Sequence, residues 1–116
     1  MEITISDALS TFSKIAGVSD VAIIGYDGFV IESTMSASFN DDALGAMLAT
    51  EFARQETFGR ELHLGELKEY ITEFSGGNLL MIRLQQGILA VFSRHPLAIN
   101  DDIKYQSTDV LKSIQL

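Results

Sequence analysis

The stretch that decides the fold is VAIIGYDGFVIES, Val21 to Ser33. Two apolar runs flank Gly25-Tyr26-Asp27-Gly28. Glycines behind a hydrophobic strand either cradle a phosphate or turn the chain back on itself. A Walker loop reads GxxxxGK[ST] and runs directly into a helix. Here no lysine follows, and the chain continues as a second strand-like run. The dinucleotide pattern GxGxxG is absent as well. An apolar run, an Asp-Gly pair and another apolar run spell a hairpin. The expected turn is type I′, with positive φ at both Asp27 and Gly28.

Upstream, Ser6 is the expected N-cap of a first helix, with Asp7 in its first turn. Ala8, Leu9, Phe12, Ile15 and Ala16 recur at helical spacing, and Gly17 stands where a C′ residue takes positive φ. Downstream, Thr34 to Asn40 is polar and leads into DDALGAMLATEFARQETFGRELHL. This reads as a helix of about 20 residues, capped by Asn40 or Asp41. A meander follows: Leu67 to Phe74, a turn at Ser75-Gly76-Gly77-Asn78, Leu79 to Leu84, a turn at Gln85-Gln86-Gly87, then Ile88 to Ser93. Past Pro96, Asn100 caps a last helix with the stripe Ile103, Ser107, Val110, Leu111 and Ile114. The order α-β-β-α-β-β-β-α is an α+β arrangement, expected to be one domain over residues 1–116 with no repeat or linker dividing it.

VAII, LLMIRL and ILAVF are apolar on both alternating faces, so the sheet is expected to lie between helices. By contrast, LKEYITEF mixes Lys68, Glu69, Thr72 and Glu73 into its apolar residues, which suits a sheet edge.

Apolar residues make up 47% of the chain and charged residues 21%, enough to build a core. There is no cysteine, which removes disulfides and thiolate metal sites and agrees with a reducing compartment. The formal net charge of −8 would repel nucleic acid overall. No apolar run approaches the roughly 20 residues of a membrane span. Met1-Glu2 opens no basic export region, and the expected location is the cytoplasm.

Catalytic signals are thin. His63 and His95 are isolated, and neither HExxH nor a paired histidine spacing occurs, so no metal site is expected. Ser33 and Ser36 have no neighbour in sequence to activate them, and GxSxG is absent. Asp41-Asp42 and Asp101-Asp102 each open an expected helix, where the helix dipole accounts for them. No catalytic residue and no cofactor is called for.

The long helix carries more information. At about 100° per residue, Leu44, Met47, Leu48, Phe52, Phe58 and Leu62 share one face, the expected buried one. Ala46, Ala49, Thr50, Ala53 and Thr57 gather on the opposite side. That side is shallow and nearly uncharged, a composition suited to contact with another helix.

At this point the residues resemble a known family. The element order, GVSDVAIIGYDGFVIES after a short first helix, the alanine-rich second helix, ELHLGELKEYITEF and GGNLLMIRLQQGILAVFS are similar to the Roadblock/dynein light chain domain, most of all to its MglB-like members. The resemblance implies a five-stranded antiparallel sheet of the roadblock/profilin-like kind. The second helix would lie on one face, with the first and last helices on the other. It implies dimers, formed with itself or with a paralogous Roadblock protein, through the third strand and the second helix. Leu67, Glu69, Tyr70, Ile71 and Glu73 would then join Ala46, Ala49 and Ala53 at the seam. It also implies a Ras-like small GTPase as partner, with Thr50, Arg54, Thr57 and Arg60 as the candidate surface. Arg54 and Arg60 are the only arginines near that face, and MglB-type members work by rearranging the GTPase, so neither need be catalytic.

The leading expectation is therefore a non-enzymatic dimeric partner of a Ras-like small GTPase, acting on it as a GTPase-activating regulator or as a scaffold. One alternative is a module that holds a small ligand against the sheet, motivated by Arg83 inside LLMIRL. Another is a purely structural assembly subunit, such as a dynein-type light chain.

Overall fold

The structure, a computed structural model, describes residues 5–35 and 40–94. The expected last helix, Ser36, His95, Pro96 and Asp101-Asp102 lie outside the described residues. The elements run α1 (Ile5–Ser13), β1 (Asp20–Ile24), β2 (Val30–Ser33), α2 (Asp41–Glu61), β3 (Glu69–Phe74), β4 (Gly77–Arg83) and β5 (Ile88–Ser93). The five strands form one sheet in the order β2-β1-β5-β4-β3, with every neighbouring pair antiparallel. This is the expected five-stranded sheet, with β3 at one edge.

The opening stretch is a hairpin, but its turn is not type I′. Gly28 has φ +89, whereas Asp27 is not among the residues with positive φ. The loop holds three residues rather than two. The Gly28 amide donates to the Gly25 carbonyl (2.9 Å), and the Gly25 amide donates to the Phe29 carbonyl (2.8 Å). Asp27 Oδ1 accepts from the Phe29 amide at 3.1 Å, so its side chain stabilises the turn without its backbone taking positive φ. A three-residue loop ending in a left-handed glycine feeds a bulge. A separate irregularity follows: the register shifts between Ile23, which pairs with Glu32, and Ile24, which pairs with Val30, leaving Ile31 as the extra residue of β2.

The sheet is covered on both faces, as its apolar strands require. On one face Leu9, Phe12 and Ile15 pack on Val21, Ile23, Leu80, Leu89 and Val91. On the other, Leu44, Leu48 and Phe52 of α2 pack on Ala22, Ile24, Met81, Ile88 and Ala90. Because side chains alternate along a strand, β1 and β5 supply both cores at once.

Several boundaries differ from expectation. α1 already includes Ser6, so Ser6 is not its N-cap. Gly17 does take positive φ, at +91. Asn40 caps α2, its side chain accepting from the Ala43 amide at 3.1 Å. β3 begins at Glu69 instead of Leu67, and Asn78 belongs to β4 rather than to the turn. The hairpin and α2 are fitted to one another. A Cβ at Gly45 would overlap the Gly28 carbonyl oxygen, so only glycine lets the helix rest on that turn.

Candidate interaction surface

Arg83 is fully engaged by the protein itself. Its Nε donates to the Leu67 carbonyl at 2.7 Å and pairs with Glu66 Oε1 at 3.0 Å. One terminal nitrogen reaches the Tyr26 hydroxyl at 3.2 Å, and the other forms an ion pair with Glu56 on α2. The guanidinium also lies over the Phe52 and Tyr26 rings, 5.4 Å and 5.5 Å from their centroids. The Tyr26 hydroxyl in turn donates to the Leu84 carbonyl at 2.6 Å. Burial pushes the Tyr26 phenol up from its ordinary range, against the lowering pull of Arg83. Arg83 thus ties the hairpin, α2 and the entrance to β3 into one piece. The charge that motivated the small-ligand reading is accounted for by these contacts.

Among the described residues, no group of three or more histidine, aspartate or glutamate side chains could hold a metal ion. None of the described helices is long and apolar enough to cross a membrane.

Next to this network lie the outer side of α2 and the β3 edge. Two contacts fix how α2 is rotated over the sheet. Glu56 faces Arg83, and Glu51 accepts from the Tyr70 hydroxyl at 3.4 Å. The flank on the Glu51 side therefore overhangs β3. On that flank Met47 and Phe58 are 64% and 63% exposed, beside Arg54, which pairs with Glu51 at 3.5 Å. Expectation placed Met47, Phe58 and Leu62 on the buried face with Leu44, Leu48 and Phe52. All three are exposed, because the contact with a flat sheet occupies a narrower arc than the apolar stripe. Ala46, Thr50, Ala53 and Thr57 are exposed along the crest, and Arg60 is exposed near its end. Ala49 is half-buried and packs on the α2-side core, turned away from that crest.

Among the described residues, no strand pairs with the outer side of β3. The Arg83 amide donates to the Lys68 carbonyl at 2.8 Å, which sets the parity of the β3–β4 ladder. Residues Tyr70, Thr72 and Phe74 then bond inward to β4, while the amides of Ile71 and Glu73 point outward. Tyr70 and Leu67 lean on the α2-side core, and Ile71 is 40% exposed on the opposite face. Glu69 and Glu73 are exposed on that face too.

The end of α2 adds a feature that sequence reading missed. Leu62 is followed by His63 at φ +59, with His63 donating to the Arg60 carbonyl (3.0 Å) and Leu64 to the Gly59 carbonyl (2.8 Å). This is a Schellman ending with histidine in the left-handed position usually held by glycine. Beside it runs a shallow groove lined by Phe58, Gly59, Leu64, Leu67, Lys68 and Glu69, among others. Gly65, two residues beyond His63, takes positive φ as well, at +86.

These features have relatives. The Roadblock/LC7 domain family matches residues 4–93, and the chain belongs to that family. Two Methanocaldococcus jannaschii proteins are each 30% identical over 89 residues, covering 77% of this chain and 78% of theirs. Among solved structures, Myxococcus xanthus MglB superposes with a TM-score of 0.84 at 13% identity, covering 97% of this chain and 95% of that one. A structure of MglB in a tetrameric arrangement gives a TM-score of 0.79 at 14% identity, over 95% and 84% of the two chains. At such identities the likeness is one of fold.

Proposed function

We propose that this chain is a single-domain, self-associating cytoplasmic regulator or scaffold that binds a Ras-like small GTPase and has no catalytic site of its own. The observation that carries the reading is the open β3 edge overhung by an apolar helix flank. An unguarded edge invites another strand, and a two-fold axis lets a second copy supply the same one. In that arrangement Met47, Arg54 and Phe58 face the second copy's α2, together with the strand residues Leu67, Glu69, Tyr70, Ile71 and Glu73. The crest residues Ala46, Thr50, Ala53 and Thr57, with Arg60, then form a shallow platform for the GTPase. This allocation differs from the sequence-based one, which gave Ala46, Ala49 and Ala53 to the seam; the rotation of α2 over β3 is the reason. Family membership supports the choice of partner, and the tetrameric MglB arrangement supports self-association. The test mixes the purified chain with Ras-like GTPases from the same genome, loaded with GDP or a non-hydrolysable GTP analogue. Co-sedimentation with one nucleotide state in preference to the other is expected. Binding to neither state of any of them would contradict the GTPase reading.

A further inference from the structure

We infer that Phe74 of one copy seats in the groove beside Phe58 and Leu64 of a second copy, so that the two ends of β3 act as mutual knob and hole. The inference rests on the reading that β3 pairs with its own symmetry mate. Phe74 is 59% exposed at the end of β3, and Phe58 and Leu64 are 63% and 75% exposed beside its start. Both features lie on the α2 side of the sheet. Phe74 is two pleats on from Tyr70, which packs on the α2-side core, and it shares a shallow depression with Leu79 and Phe92 of that core.

Antiparallel self-pairing brings opposite ends of the strand together. A two-fold axis centred on Tyr70, Ile71 or Thr72 sets Phe74 of the second copy opposite residue 66, 68 or 70. These positions line the groove or adjoin it. Every such pairing is a non-hydrogen-bonded one, because the outward amides belong to Ile71 and Glu73, and in those pairs the side chains approach most closely. Area supports the same occupant. Taking roughly 150–250 Å² for a whole aromatic side chain, the exposed parts of Phe58, Leu64 and Phe74 come to roughly 350 Å² per copy. A standard interface buries about 800 Å² per partner, which a six-residue edge alone does not reach. The exchange of ends and the α2 flank close that gap.

The experiment places the photoreactive residue p-benzoylphenylalanine at Phe74 in the full chain and irradiates a mixture of isotopically light and heavy copies. Mixed-isotope adducts within residues 55–69 are expected, and Phe74→Ala is expected to raise the dimer dissociation constant about tenfold. Sedimentation of the unmodified protein is measured alongside. A dimeric mass with adducts elsewhere, or only within one copy, overturns the exchange while leaving self-association in place. A monomeric mass overturns both.

Discussion

Tyr26 and Arg83 share one network, yet substitutions at the two should behave differently. Arg83→Met removes the counter-charge of the half-buried Glu56 and the donor to the Leu67 carbonyl. A loss of about 2 kcal/mol in urea denaturation is expected, partly recovered when Glu56→Gln is added, because the unpaired carboxylate is then gone. Tyr26→Phe loses the bond to the Leu84 carbonyl and the hydroxyl that accepts from Arg83, but leaves no buried charge unpaired, so about 1 kcal/mol is expected at neutral pH. Its effect also depends on pH. The folded phenol is raised above the ordinary 10.0, so in alkali the unfolded chain gives up its proton first. The folded state then holds more protons, and stability falls as pH rises past about 10. Denaturation midpoints at pH 9 and 11 should therefore drop further for the wild type than for Tyr26→Phe. His63 offers the opposite sign. Placing glycine in its left-handed position relieves strain, and His63→Gly should stabilise by about 1 kcal/mol in thermal melts.

At the scale of elements, the proposed function gives α2 two separable surfaces. Met47→Glu puts a charge on the flank above β3 and should shift the sedimenting mass toward the monomer, since a desolvated unpaired charge costs several kcal/mol. Ala53→Glu lies on the crest and should leave that mass unchanged while abolishing GTPase co-sedimentation. If both substitutions split the assembly equally, the division into flank and crest is wrong. Gly45→Ala, by pressing a methyl group on the Gly28 carbonyl, should cost about 1–3 kcal/mol without touching either surface. Much of this element-level picture was legible in advance. Runs such as VAII and ILAVF announced a sheet covered on both faces, and the mixed LKEYITEF announced an edge. What stayed hidden was rotational: a stripe from Leu44 to Leu62 reads as one face, but only the contacts of Glu56 with Arg83 and of Glu51 with Tyr70 show how much of it the sheet covers. The turn was misread for a related reason. Asp-Gly is compatible with two loop lengths, and the choice depends on Asp27 bonding to the Phe29 amide. Arg83 looked like an intruder in an apolar strand because its partners lie far away along the chain.

For the whole molecule, the sheet is proposed to continue across a two-fold axis through β3. Proline scanning separates the two sides of the strand. Glu73→Pro removes an outward donor and should weaken self-association while keeping the β3–β4 hairpin, whereas Thr72→Pro breaks the ladder inside the chain. Sedimentation of Glu73→Pro beside its circular dichroism spectrum checks this. Charge works against association, since each copy carries a formal −8, so raising the salt should tighten the dimer by screening that repulsion. The most direct measurement is amide hydrogen exchange at two protein concentrations. The outward amides of Ile71 and Glu73 are expected to be protected in concentrated solution and to exchange rapidly on dilution, while the inward amides of Tyr70 and Thr72 remain slow throughout. Fast exchange of Ile71 and Glu73 at every concentration would mean that the edge faces water and that the sheet ends where this chain ends it.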